Sequence, residues 1–324
     1  MVNAGLGFWL AFHLAIFAVL ALDLGVFQRK SHVPSKKEAL IWTLVWIVLS
    51  LLFALGIHHF CGSEKSLEFI TGYLIEKALS VDNLFVFLVI FSSFGVAPRL
   101  QRSVLLWGIL GAVVMRAGFI VAGAALIQRF HWMMYVLGLF LIYTAIRLVT
   151  KHEDEGEIDP GHHPVVRFLQ KLLPISSRFE GDRFFVRRSK VWTATQLLVV
   201  LAVVETTDVV FALDSIPAIF AITTDPFIVY TSNIFAILGL SALYFLLAGA
   251  LGQCRFMKEG LSVILGFVGL KMLVADLLHV PILFSLGFIA LTLVVAVTAS
   301  LKYPLPPKKA VPASKDDLEP GSAA

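Results

Sequence analysis

Residues 192–220 read WTATQLLVVLAVVETTDVVFALDSIPAIF. The run is long and apolar enough to cross a bilayer, which takes about 20 mostly apolar residues. Yet it carries Glu205, Asp208 and Asp214. Residues 68–94, EFITGYLIEKALSVDNLFVFLVIFSSF, are similar in character and carry Glu76, Lys77 and Asp82. Both stretches read acid, five residues, acid, then a small polar residue. Glu76 and Asp82-Asn83 recur 132 positions later as Asp208 and Asp214-Ser215.

The rest of the chain has the same apolar character. Of 324 residues, 58% are hydrophobic and 15% charged, against roughly a quarter charged in soluble domains. The excess lies in long blocks, which marks a membrane protein. Nine spans are expected, near 6–27, 40–60, 68–94, 103–127, 132–150, 192–220, 227–251, 260–278 and 282–301. The fold class is an all-α polytopic bundle. Its N-terminal half covers 1–150, a cytoplasmic loop 151–191, a C-terminal half 192–301, and a disordered tail 302–324. The first block lacks a basic n-region and reads as a span rather than a cleavable signal.

Charge orients the chain. One set of connections carries Arg29, Lys30, Lys36 and Lys37; Arg99 and Arg102; eight basic residues from Lys151 to Lys190; Arg255 and Lys258; and Lys302, Lys308, Lys309 and Lys315. The alternate set carries only Lys65 and Arg129. The positive-inside bias predicts an outer N-terminus and a cytoplasmic C-terminus. These basic residues sit in short loops, so nucleic acid is not an expected partner. Cys61 and Cys254 fall on opposite sides of the bilayer in this topology, so no disulfide is expected between them. With three spans between them, the two acidic motifs run in opposite directions, as in inverted-repeat transporters. Glu76 then lies level with Asp214, and Asp82 with Asp208.

An ionisable side chain at the bilayer centre costs about 2.5–3.5 kcal/mol on insertion scales. Glu76, Asp82, Glu205, Asp208 and Asp214 therefore must be paired, protonated or bound to a cation. Lys77, Arg116, Arg147 and Lys271 can supply them as a buried ion-pair network, with snorkelling the alternative for Arg147. The oxygen-bearing neighbours Ser80, Asn83, Thr206, Thr207 and Ser215 favour a bound cation instead. The metal-ligand set is Glu76, Asp82, Asn83, Glu205, Asp208, Asp214 and Ser215. Oxygen donors without Cys or His suit a hard ion such as Mn²⁺, Ca²⁺ or Mg²⁺. At 100° per residue, Asp82 and Asp214 each sit about 120° from the first acid of their motif. Either the acids line different walls or the helices unwind, and Pro217 favours unwinding because it cannot donate to the Leu213 carbonyl.

The motifs Glu76-Lys-Ala-Leu-Ser-Val-Asp82-Asn83, Glu205-Thr-Thr-Asp208-Val-Val-Phe-Ala-Leu-Asp214-Ser215-Ile-Pro217-Ala and Thr231-Ser-Asn233-Ile-Phe-Ala-Ile-Leu-Gly resemble the TerC family of integral membrane proteins. The resemblance implies a multi-pass inner-membrane protein of metal-ion homeostasis, with manganese export the activity most often ascribed. It implies functional roles for Glu76, Asp82, Glu205, Asp208 and Asp214. Ser241 stands where members often carry Arg, so the site is more negative here or another cation compensates.

The expected function is export of a divalent cation, with Mn²⁺ as cargo, no tightly bound cofactor and the lipid bilayer as surroundings. Protons are expected counter-movers, because cation binding displaces protons from carboxylates. The alternative is an accessory membrane protein that assists translocation or metal loading of exported proteins, with membrane-protein partners. Gly-x-Gly-Asp, His-Glu-x-x-His and Gly-x-Ser-x-Gly motifs are missing, so no enzyme is expected. Secondary candidates are Asp23, Asn233 and Asp276, the pair His58-His59 with Cys61, and the acidic stretch from His152 to His163, which otherwise reads as a solvated loop.

Overall fold

The computed structural model describes residues 9–10, 12–14, 16, 34–130, 132–150, 164–176, 178–188, 191–248, 256–278 and 280–303. Asp23, most of the expected first span, the stretch from His152 to His163, Cys254 and the tail beyond Tyr303 lie outside these residues. The order of elements is α1 (Lys36–Cys61), α2 (Ser63–Ser93), α3 (Pro98–Arg129), α4 (Met133–Thr150), α5 (Pro164–Leu172), β1 (Phe185–Arg188), β2 (Val191–Ala194), α6 (Gln196–Phe220), α7 (Pro226–Leu238), α8 (Leu240–Leu247), α9 (Met257–Leu273) and α10 (Ile282–Lys302). The protein is a helical membrane protein with one antiparallel hairpin, β1–β2, among the described residues.

α1 shows why these helices suit a bilayer. Ser35 caps it by accepting from the Glu38 amide at 3.2 Å, and Glu38 reaches back to the Ser35 amide, a reciprocal box that satisfies two otherwise unpaired donors. Ala39, Thr43, Trp46, Ser50, Ala54 and Ile57 recur every three or four residues and are buried. The opposite face exposes Leu40, Leu44, Val48, Leu51 and Leu55. A helix apolar on both faces belongs in lipid. Thr43 and Ser50 each donate to the carbonyl four residues back, at 2.8 Å, so their hydroxyls enter the apolar phase already paired.

Among the described residues, five helices are long and apolar enough to cross a membrane, or six if the bent pair α7 and α8 is one span. α9 has 17 residues, and α2 holds Glu64, Lys65, Glu68, Glu76, Lys77 and Asp82 along its length.

Three local expectations change. Residues 191–194 form β2, so α6 begins at Gln196 rather than 192. The expected loop 151–191 contains α5 and β1, anchored where the Ala194 carbonyl accepts from the Ser176 amide and the Phe184 carbonyl from the Thr195 amide. Finally, α6 runs unbroken through Pro217 to Phe220. A proline one turn from a helix end has little downstream ladder to disrupt. The expected single span 227–251 carries the bend instead, 40° between α7 and α8 at Gly239.

α4 and α9 touch backbone to backbone. A Cβ added to Gly269 would lie 2.7 Å from the Gly138 carbonyl oxygen, and one on Gly138 would lie 3.0 Å from the Gly269 oxygen. Small residues at such crossings let membrane helices gain close van der Waals contact where no water is available to drive burial.

Candidate cation site

On α3, Leu105, Ile109, Ala112, Arg116 and Ile120 recur at three- and four-residue intervals and are buried. This spacing places one guanidinium on the face that meets α6 and α7. Arg116 is only 1% exposed, and its five donors are heavily used. Nε and Nη2 grip both oxygens of Asp208 at 3.1 and 2.9 Å. Nη1 donates to Glu76 Oε1, to Ser215 Oγ at 3.3 Å and to Asn233 Oδ1 at 3.4 Å. Glu76, Asp208, Ser215 and Asn233 are all buried. Two buried polar atoms at this cluster have no hydrogen-bond partner among the described residues: Glu76 Oε2 and Asn233 Nδ2.

Arg116 therefore joins α2, α3, α6 and α7. Fork geometry suits Arg to carboxylates better than Lys, because two parallel N–H groups meet two oxygens. With all three side chains ionised, the cluster carries one net negative charge, and Glu205 adds a second. Glu205 lies one turn before Asp208 on α6, half-buried, with its carboxylate against Gly111 of α3. A Cβ at Gly111 would come within 2.1 Å of Glu205 Oε1. Glu205 and Asp208 line a cavity of about 10 Å³, together with Gly108, Ala112, Phe87 and Ile237, room for about one water. Gly111→Ala is expected to leave the fold intact, because the atoms in its way belong to the free end of a long side chain. It should displace the Glu205 carboxylate while leaving the thermal midpoint in detergent near wild type.

The expected ligand set is thus divided. Asp214 points away from Arg116, and its Oδ1 accepts from Thr144 Oγ1 of α4 at 3.1 Å. An unbroken α6 turns the second acid of the motif to another wall, as the 100° step requires. Glu76 and Ser215 meet at the same guanidinium nitrogen, whereas Asp208 holds the other edge. Asn83 and Ser80 are buried on α2 but take no part in the Arg116 hydrogen bonds. The Asp82 side chain lies outside the described residues. Thr206 and Thr207 donate to the carbonyls of Ala202 and Val203 within α6. Among the described residues, no three His, Cys, Asp or Glu side chains converge closely enough to hold an ion, which also removes His58-His59 with Cys61 as a ready-made site.

The remaining cations take separate roles. Lys77 Nζ donates to the Ala236 carbonyl at 2.8 Å, next to the α7–α8 bend and close to the segment that holds Ser241. A cation there satisfies a carbonyl near a helix C-terminus and complements its partial negative charge. Arg147 is exposed near the end of α4, consistent with snorkelling. Asp276 is exposed after α9 and accepts from the Tyr135 hydroxyl. Asn233, a secondary candidate by sequence, belongs to the central cluster.

A second charged cluster escaped sequence reasoning. Lys65 Nζ donates to both oxygens of Glu68, at 3.0 and 2.7 Å, and Thr223 Oγ1 donates to Glu68 Oε2 at 2.6 Å. Asp225 lies 4.0 Å from Lys65 and caps α7 by accepting from the Phe227 amide. The usable signal was Asp225 followed by Pro226, an N-cap with proline at the first helical position.

A helical bundle with a four-helix ion-pair cluster in its apolar interior defines a polytopic membrane protein with a buried charged site. The chain belongs to the family described as "Integral membrane protein TerC family", whose profile matches residues 61–305. It is 49% identical over 295 residues to an uncharacterized membrane protein of Myxococcus xanthus, covering 91% of this chain and 92% of that one. It is 47% identical over 290 residues to an Escherichia coli K12 protein named "Putative membrane-bound redox modulator Alx", covering 87% and 90%. A Rickettsia bellii membrane protein is 40% identical over 293 residues, covering 90% and 96%. No solved structure matches.

Proposed function

We propose that the protein exports a hard divalent cation, Mn²⁺ foremost, from the cytoplasm across the inner membrane. In this reading nine spans form an inverted repeat, with the N-terminus outside. The observation that carries it is the convergence of Glu76 and Asp208, equivalent positions of the two motifs, on opposite edges of one buried guanidinium. The packing is reciprocal in the same sense: α2 lies on α7, and α6 lies on α3. Under the repeat, α2 corresponds to α6, and α3 to α7 with α8. Carboxylate, amide and hydroxyl oxygens at the site suit Mn²⁺, Ca²⁺ or Mg²⁺, and the family resemblance selects Mn²⁺. In this reading Arg116 balances part of the negative charge of the site, and Glu205 and Asp214 stand beside the route to and from it. Ser241 leaves charge compensation to Arg116 at the acids and Lys77 at the bend.

The test is Mn²⁺ flux in proteoliposomes under imposed pH differences with the membrane potential clamped. Flux is expected to follow the pH difference, and Asp82→Asn is expected to abolish it in folded protein. Cells lacking the protein should accumulate Mn²⁺ when challenged. Unchanged cellular Mn²⁺ alongside altered Zn²⁺ or Cu²⁺ would reject the choice of cargo. A second reading, an accessory protein that acts on exported proteins, draws on the relatives' name as redox modulators. It requires no flux, so the same proteoliposomes separate the two.

A further inference from the structure

We infer that Arg116 is a tethered cation that competes with the transported ion, and that it yields the site by moving its guanidinium toward Glu205. The inference rests on the proposed transport reading and adds how the site is regulated. In the arrangement described, Arg116 takes both oxygens of Asp208 and one oxygen of Glu76. Among the described residues, only Glu76 Oε2 is left open of the four carboxylate oxygens of that pair. A hard divalent ion needs about six oxygen ligands. It cannot collect them while the guanidinium holds three of these four, and two cations sharing the pair would repel each other. The guanidinium must therefore leave before the ion is held.

The second seat is a neighbouring carboxylate, and the one-water cavity beside it must widen as the guanidinium moves. Glu205 lies one helical turn from Asp208 on the same helix, and both line the cavity beside Gly108 and Ala112 of α3. Among the described residues the Glu205 carboxylate accepts no hydrogen bond, so it is an open acceptor next to the one that Arg116 already holds. A swing of the side chain from the Glu76 edge to the Glu205 edge keeps one contact to Asp208 throughout. It frees Glu76, the Asn233 carbonyl oxygen and Ser215 for the ion. The amide of Asn233, whose Nδ2 lacks a partner, then turns its oxygen from the guanidinium to the ion. Charge is conserved in this exchange: Glu76, Asp208, Glu205 and Arg116 together carry two negative charges when ionised, which one divalent cation neutralises.

Mn²⁺ binding to purified full-length protein, followed by calorimetry at low ionic strength, tests the inference. Arg116→Lys keeps the charge but loses the two-pronged grip, so it should release the acids more readily. Because occupancy by Arg116 reduces the fraction of binding-competent protein, Kd should tighten by about 3-fold in Arg116→Lys and about 10-fold in Arg116→Gln. Glu205→Gln should weaken Mn²⁺ binding several-fold when Arg116 is present. It should have no effect in the Arg116→Gln background, where no guanidinium needs a second seat. Equal Kd in wild type and Arg116→Lys overturns the competition. Equal weakening by Glu205→Gln in both backgrounds makes Glu205 a direct ligand and overturns the relay. If wild type and all variants are monodisperse yet bind no Mn²⁺, the transport reading itself falls, and this inference with it. Arg116→Lys and Glu205→Gln keep the test decisive if Arg116→Gln does not fold.

Discussion

Asp208→Asn is expected to destabilise the folded protein by about 3–5 kcal/mol, because it leaves Arg116 buried with one of its two carboxylate partners gone. Arg116 is 1% exposed and Asp208 4%, so water cannot take over the lost contacts. The neutral amide keeps one oxygen acceptor and presents an NH₂ group where Asp208 accepted a second N–H. One guanidinium donor thus faces a donor rather than an acceptor. Removing the whole charged set should behave differently. A triple variant with Glu76→Leu, Arg116→Met and Asp208→Leu leaves neither a charge nor an unpaired amide at these three positions. Replacing a buried ion triad by hydrophobic residues of similar volume is often harmless or stabilising, so its thermal midpoint in detergent should return close to wild type. Under the proposed transport function both Asp208→Asn and the triple variant should carry no Mn²⁺ flux. The pair of measurements separates folding from the proposed transport: the single variant reports the cost of an unpaired charge, and the triple variant reports flux without that cost. A thermal midpoint in Asp208→Asn equal to wild type would show that Arg116 does not depend on this grip.

Gly269→Leu is expected to abolish recovery of monodisperse protein. The Cβ alone would lie 2.7 Å from the Gly138 carbonyl oxygen and 3.1 Å from the Ile142 backbone nitrogen. These are backbone atoms of α4, so relief requires the two helices to separate. Gly269→Ala should already cost about 1–3 kcal/mol, the usual range for overpacking. Leucine adds three further carbons to the same gap. Gly56 provides the control, since nothing lies within 4 Å of a Cβ placed there, and Gly56→Ala should leave the thermal midpoint unchanged or slightly raised, because Ala is the better helix former. The contrast tests whether the α4–α9 crossing, rather than helix propensity, sets the sensitivity. Wild-type behaviour in Gly269→Leu would mean that α4 and α9 do not cross as closely as described.

The amino-acid sequence by itself determined that this is a helical membrane protein. Long apolar runs suffice for that, because a bilayer demands about 20 such residues in series, and this demand is read one segment at a time. It also picked out Glu76 and Asp208 as related positions, since charge in an apolar run is costly enough to stand out. The division between Asp208 and Asp214 followed from helix geometry alone once α6 proved unbroken. Partners were a different matter. Arg116 meets Glu76 across 40 residues of chain, Asp208 across 92 and Asn233 across 117. Such meetings depend on how each helix is rotated and where it crosses its neighbours, which apolar composition does not encode. The Lys65–Glu68–Thr223–Asp225 cluster stayed hidden for the same reason, its hydroxyl and carboxylate lying 155 residues apart. The bend at Gly239 rather than Pro217 was also a tertiary decision. Lys77 reaches across from α2 to hold the Ala236 carbonyl beside that bend, while the ring of Pro217 falls within the last turn of α6, where little helix remains to break.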